Sequence, residues 1–333
     1  MNYVAPWWLP GGNLQTIWPA LYARRVAGAP VSYRRERWNT PDGDFIDVDF
    51  GAWPRLADAP WLVLFHGLEG SSRSHYAEAF AGFARAQGMA FAVPHFRGCS
   101  GQINLAPRAY HSGDFEEVDW ILRRLRERQR ARGGGALLAV GVSMGGNVLM
   151  RWAEEMDAQA GGVVDALAAV SAPLDLAASG HAIGRGFNRQ VYTRMFLRTM
   201  VPKALRKLAQ HPGLFSRERL LAARDLYEFD NVFTAPLHGF QGTDDYWRRA
   251  SARPQLRRIR VPALLLNARN DPFVPASSLP RGDEVAASVT LWQCTQGGHV
   301  GFAQGRRPPG HVQFIPQAVG GWLASQVGAI VTL

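Results

Sequence analysis

Cysteine is almost absent from this chain: Cys99 and Cys294 are the two it has. Two isolated thiols give no disulfide framework and no zinc-ligand spacing. There is no His-Glu-x-x-His, no Walker loop and no Gly-x-Gly-x-x-Gly after a strand, so neither a metal nor a nucleotide cofactor is expected. No apolar run reaches membrane-spanning length. The start, Met1-Asn2-Tyr3-Val4-Ala5-Pro6-Trp7-Trp8, lacks the basic stretch and long apolar run of a signal peptide, so a soluble, cytoplasmic protein is expected. Its tryptophans are expected to pack over the body, with weak contact to a membrane surface as the alternative. Lysine is nearly missing too. All but two of the 37 basic residues are arginine; Lys203 and Lys207 are the exceptions. The net charge is +10, and arginine is heavily used in every segment, which points to a coding bias as much as to a selected surface. Arg123, Arg124, Arg126, Arg128, Arg130 and Arg132 gather at one helix end, where cations suit the dipole. A solvated helix end is the expectation there, and a patch for anionic lipid headgroups the alternative. No nucleic-acid-binding motif accompanies the charge, so no nucleic-acid partner is expected.

What is present is a long α/β pattern. Apolar content of 47% over 333 residues supports a large core, and the expectation is one domain, 1–333, with an insertion. Strands are expected near 44–50, 61–65, 90–95, 136–142, 166–171, 263–267 and 289–294. Helical patterns sit at 75–87, 114–132, 145–156 and 312–327. Their alternation predicts a mostly parallel sheet with helices on both faces. Asp114 with Glu117 three residues on is expected to form an N-terminal capping box. Asp244 and Asp245 are expected to cap another helix.

The chemistry centres on Ala139-Val140-Gly141-Val142-Ser143-Met144-Gly145-Gly146-Asn147. This is Gly-x-Ser-x-Gly after an apolar run and before a helical one, the pattern of a nucleophile elbow. Alone it is common, and a tight turn with an incidental serine would read the same. Three further features add to it. The run Trp61-Leu62-Val63-Leu64-Phe65 ends in His66-Gly67-Leu68-Glu69-Gly70, the position and composition of an oxyanion-hole loop. The expected donors are the backbone N–H groups of Leu68 and Met144. The strand at 263–267 is followed by Asn270-Asp271-Pro272, which puts an acid just past its end. The strand at 289–294 is followed by Gly297-Gly298-His299, a histidine on a glycine hinge that can swing onto Ser143 and Asp271. The order Ser143, Asp271, His299 is the one α/β-hydrolases use. Of nine histidines, His299 and His311 follow the acid, and His311 is placed at the opening of the last helix. Asp175, after the strand at 166–171, is the rival acid.

Beyond these residues the chain resembles the YheT-like branch of the α/β-hydrolases, the α/β-hydrolase 4 group, which includes the α/β-hydrolase-domain proteins one and three of animals. The resemblance runs through Asn13-Leu14-Gln15-Thr16, Pro41-Asp42-Gly43-Asp44-Phe45, His66-Gly67-Leu68-Glu69-Gly70-Ser71, His95-Phe96-Arg97-Gly98-Cys99-Ser100-Gly101, Tyr110-His111-Ser112-Gly113 and the elbow. It continues from Asp230 through Gly239-Phe240, Asp245-Tyr246 and Ser251 to Asn270-Asp271. The family usually has histidine where this chain has Asn13, and tyrosine where it has Trp247. Membership would imply a serine carboxylic-ester hydrolase, with short-chain esters, acylglycerols and phospholipids among the family's activities.

The α/β alternation breaks over 172–252, a stretch expected to be a helical lid over the elbow. Residues 190–208 read as one or two helices with a break at Val201-Pro202. Phe187, Tyr192, Met195, Phe196 and Met200 are candidate acyl-pocket walls, with packing of the insertion onto the body as the alternative. The expected partner is a small-molecule ester, of short to medium chain or a monoacylglycerol. An acyltransferase with the same triad and a non-catalytic ligand-binding module are the rival functions. An acid-dependent dehalogenase or epoxide hydrolase is argued against by a serine at the elbow. Nothing in the sequence signals an oligomeric state.

Overall fold

The computed structural model describes residues 2–51 and 56–328. Eight strands form one sheet in the order β1-β2-β4-β3-β5-β6-β7-β8. They are β1 (Arg34–Asn39), β2 (Phe45–Phe50), β3 (Trp61–Phe65), β4 (Ala90–Pro94), β5 (Leu137–Val142), β6 (Ala166–Val170), β7 (Ala263–Ala268) and β8 (Val289–Cys294). β1 pairs antiparallel with β2, and β2 with β4; every other pairing is parallel. The sheet is therefore mostly parallel, as the alternation predicts.

The unbroken apolar runs follow from burial on both faces. Along β3, Trp61, Val63 and Phe65 enter one core while Leu62 and Leu64 enter the other. Side chains two residues apart share a face, so a strand covered on both sides has no polar position to spare. Fully burying one such Val, Leu or Phe stabilises by about 1.5–3 kcal/mol. Helices α1 (Gly11–Leu21), α2 (His75–Ala86), α3 (Phe115–Arg130) and α4 (Met144–Met156) complete the first half. α4 packs Val148, Leu149 and Trp152 into the first core. α2 and the last helix, Phe314–Gln326, cover the other face with Phe80, Phe83, Val319 and Leu323.

β1 is the strand that the pattern does not predict. Its sequence, Arg-Arg-Glu-Arg-Trp-Asn, is an exposed edge with little apolar signal. Charge pairing across the ladder holds it instead. Arg35 stands opposite Asp49 and Arg37 opposite Asp47, and each pair is hydrogen-bonded through two guanidinium nitrogens. The arginines of α3 are likewise engaged inside the molecule. Arg123 bonds Asp119, Arg126 bonds Asp165, Arg128 bonds Glu36, Arg130 bonds the Gly162 carbonyl and Arg124 lies over Trp38. The expected capping box of α3 does not form. Asp114 holds the N-cap position but pairs with Arg108, and Glu117 turns inward to Arg97.

Between β6 and β7 the described chain is helical. α5 (Leu176–Ile183) leads through a short π-turn, Arg189–Thr193, into the helix Arg194–Gln210; three short helices and Thr243–Ala250 follow. The break expected at Val201-Pro202 is absent, because the helix runs through Pro202. Asp244 and Asp245 lie in the first turn of Thr243–Ala250 but do not cap it: the N-cap is Gly242, Asp245 accepts from the Gln241 N–H and Asp244 from the Tyr227 hydroxyl. Buried Asn147 of α4 ties the segment's end to the body. Its amide donates to the Ser112 and Ala250 carbonyls and accepts from Ala252 N–H.

Candidate active site

The parallel strands β3, β5, β7 and β8 deliver their following loops to one edge of the sheet, where open α/β sheets form their crevice. Ser143 stands between β5 and α4 with φ of 53°, a left-handed conformation costly for a non-glycine residue. The turn closes because Gly141 and Gly145 carry no side chain. A Cβ on Gly141 would strike the Gly145 carbonyl, and one on Gly145 would strike the Phe65 carbonyl.

The structure brings Ser143, His299 and Asp271 into one hydrogen-bonded line. Ser143 Oγ lies 2.9 Å from His299 Nε2, and His299 Nδ1 lies 2.9 Å from Asp271 Oδ2. The other carboxylate oxygen, Oδ1, accepts from the N–H groups of Phe273 (2.7 Å) and Val274 (3.2 Å). The Asp271 side chain is fully buried and that of His299 nearly so. The Phe273 ring packs on the imidazole at 4.2 Å between centroids. The rival acid is elsewhere: Asp175 caps α5 by accepting from Ala178 N–H, and it lies 3.7 Å from Arg253. His311 is placed in a backbone bridge with Gln304 and Arg24 ahead of the last helix.

The loop carrying His299 is pinned, contrary to the expected hinge. Four consecutive N–H groups are each taken by a side chain. Gly297 donates to Gln15 Oε1, Gly298 to Asn270 Oδ1, His299 to Thr16 Oγ1 and Val300 to Ser171 Oγ, at 2.8–3.1 Å. Gln15 Oε1 also accepts from the Asn270 amide, so α1 braces the histidine and acid loops together. These four positioning residues carry no chemical signature in sequence. Gln15 and Thr16 lie within a stretch that carries the family resemblance, and α1 itself has no periodic apolar pattern to announce it.

Leu68, in the 66–70 loop, and Met144, the first residue of α4, both line the cavity beside Ser143. Among the described residues neither N–H donates to a protein acceptor, and Met144 opens α4, where helix N–H groups are free. The 66–70 loop is held from below. His66 is buried, bonds the Gly67 carbonyl through Nδ1 and accepts from Phe96 N–H at Nε2; burial pushes its imidazole down to about 3, so it is neutral. Gly67 N–H donates to the Tyr76 hydroxyl. Glu69, at φ of 56°, accepts from Tyr110 and pairs with Lys203 at 2.8 Å.

In front of Ser143 opens a cavity of about 140 Å³, lined by the 66–70 loop, by α5 and by Arg194–Gln210. Of the five candidate walls, Phe196 and Met200 line it; Phe187 and Met195 are half-exposed outside, and Tyr192 is buried against Phe273 with its hydroxyl on Asn13. Phe229, Phe233 and Trp247 also line it, and with them Asp230, which accepts from Thr234 Oγ1 and Trp247 Nε1. Burial pushes the Asp230 carboxyl up to about 6. Among the described residues no group of His, Cys, Asp and Glu has the arrangement of a metal site, and no helix is long and apolar enough to cross a membrane.

Comparison with known proteins places the chain in a family. Residues 60–305 match the family model described as alpha/beta hydrolase fold. The chain is 41% identical to the Escherichia coli (strain K12) esterase YheT over 298 residues, covering 88% of this chain and 84% of that one. It is 28% identical to phospholipase ABHD3 of Mus musculus over 290 residues, 84% of this chain and 68% of the relative. The solved structure of the Pyrococcus furiosus esterase Pf2001 superposes with a TM-score of 0.52 at 16% identity, over 91% of this chain and 95% of that one, a likeness of fold.

Proposed function

The chain belongs to the α/β hydrolase family, and from that membership we propose that it is a serine carboxylic-ester hydrolase working through Ser143, His299 and Asp271. The observation that carries this reading is the line Asp271–His299–Ser143, set on a strained elbow and facing a mostly apolar cavity. His299 Nε2 takes the proton of Ser143 Oγ as the oxygen attacks the ester carbonyl. Asp271 accepts the Nδ1–H, which fixes the tautomer and stabilises the imidazolium that forms. The oxyanion is received by the Leu68 and Met144 N–H groups. His299 then protonates the departing alcohol. Water enters, gives a proton to His299 as it attacks the acyl carbonyl, and the Ser143 oxygen leaves with that proton from His299, which frees the acid and restores the enzyme.

Residues 172–252 serve in this reading as a lid within a single domain, with Phe196 and Met200 against the acyl chain. Each buried methylene contributes about 0.8 kcal/mol, so an enclosed apolar cleft selects apolar acyl groups. The substrates are esters of short to medium chain or monoacylglycerols, because a slim monoester passes under the lid more readily than a bulky triester. Turnover of p-nitrophenyl butyrate by purified protein, compared with Ser143→Ala, tests the reading. A fall of roughly a thousand-fold or more is expected, and a wild-type rate in the mutant overturns it.

A further inference from the structure

Residues 176–217 contain eight Lys or Arg and no Asp or Glu. The helix Arg194–Gln210 sorts this charge by face. Phe196, Met200, Lys203 and Lys207, spaced by four, three and four, point inward and line the cavity in front of Ser143. Both lysines are partnered there: Lys203 with Glu69, and Lys207 with the carbonyls of Asn104 and Ala106. The outward face holds Met195, Arg198, Pro202 and Arg206, all exposed. Just before it come Arg185 and Arg194, also exposed, and Phe187, whose side chain is half in solvent.

Arg185, Arg194, Arg198 and Arg206 have no ion-pair partner among the described residues, whereas the arginines of α3 are engaged with carboxylates, carbonyls and a ring. The outward cations are interleaved with apolar groups, Phe187 at 53% and Met195 at 50% exposure. The inward side of the same helix lines the cavity in front of Ser143, so this face lies beside the site.

We propose that this face docks on an anionic lipid surface and presents the cavity to esters held in that surface. A helix face that mixes unpaired arginines with bulky apolar side chains matches an interface of anionic headgroups over acyl chains. An acidic protein surface is the rival occupant, and it predicts no binding to anionic vesicles. The inference rests on the ester-hydrolase reading for what is presented, but the docking is measured apart from it.

The test is co-sedimentation with phosphatidylcholine vesicles, with and without about one-third phosphatidylglycerol, at low and high salt. Wild-type protein is expected to bind the anionic vesicles and to leave them at high salt. Arg194→Gln with Arg198→Gln should weaken binding roughly five-fold for each charge removed. Phe187→Ala with Met195→Ala should weaken it as well. Both variants should hydrolyse soluble p-nitrophenyl butyrate at the wild-type rate and lose turnover of monoacylglycerol carried in the vesicles. Equal binding to neutral and anionic vesicles, or wild-type binding by the arginine variant, overturns the proposal. Loss of binding in the arginine variant but not in the Phe187/Met195 variant also overturns it, since that is the behaviour of a site for any polyanion. Wild-type protein that binds as expected but hydrolyses no soluble ester contradicts the reading of the site and leaves the docking standing.

Discussion

Replacing Asp271 by asparagine changes one atom and, on this geometry, reverses the histidine. Oδ1 of Asp271 receives two backbone N–H groups, from Phe273 and Val274. In the variant only the amide oxygen can accept them, since an NH₂ group there would face two donors. The amide oxygen therefore takes the Oδ1 position and the NH₂ takes that of Oδ2, aimed at His299 Nδ1. Nδ1 must then be the acceptor, and the ring proton moves to Nε2. That nitrogen now presents N–H to Ser143 Oγ and has no lone pair to receive the serine proton. The fold should survive, because size and both backbone bonds are kept. The expected loss in kcat is about ten-thousand-fold, equivalent to about 5 kcal/mol of transition-state stabilisation. The assay is p-nitrophenyl butyrate turnover beside thermal unfolding of both proteins. Asp175→Asn is the control, since its carboxylate caps α5 and a neutral asparagine can still cap. An active Asp271→Asn enzyme, or a dead Asp175→Asn one, refutes the reasoning.

Thr16→Val keeps the shape of the side chain but strips the acceptor from buried His299 N–H, which should cost about 1–3 kcal/mol in stability. It should also lower kcat roughly ten- to a hundred-fold with KM little changed, as a misplaced base does; an unchanged kcat in a chevron-verified destabilised variant would remove Thr16 from the positioning set. Burial pushes the Glu154 carboxyl up to about 8 despite Arg151 at 3.0 Å. The folded state thus holds a proton that the unfolded state releases above about 4.5, so stability declines as pH rises from there towards 8, by up to about 1.4 kcal/mol per pH unit. Glu154→Gln should flatten that decline in urea titrations across the range, and parallel profiles for the two proteins would contradict it. In a series of p-nitrophenyl esters beside mono- and triacylglycerols, kcat/KM should peak at short to medium acyl chains; a maximum on emulsified long-chain triglyceride would contradict the enclosed pocket.

The parts of the fold that announce themselves in sequence are those where burial dictates composition. Trp61-Leu62-Val63-Leu64-Phe65 can hardly be anything but a strand covered on both faces, and the elbow glycines are required by backbone atoms that would collide with any side chain. Arg34–Asn39 escaped because its partners are carboxylates across a ladder, a pairing with no signature along the chain. Asp114 and Glu117 have the spacing of a capping box, yet each has a stronger partner in Arg108 and Arg97, and a charge-assisted bond outcompetes a cap. Pro202 sits inside a continuous helix whose neighbours hold it in place, where local preference alone asks for a break. Ser143, Asp271 and His299 were legible because each follows a strand that is itself legible. Gln15, Thr16 and Ser171 act through single hydrogen bonds to a loop distant in sequence, and no local pattern encodes such a contact.

The central claim is that Ser143 is the nucleophile of an ester hydrolase. Incubation with a fluorophosphonate, followed by intact mass and peptide mapping, measures it most directly. The account predicts one adduct per chain, on the peptide containing Ser143, with labelling abolished in Ser143→Ala and slowed at least a hundred-fold in Asp271→Asn. An adduct on another residue, or equal labelling of the Ser143→Ala protein, would contradict it.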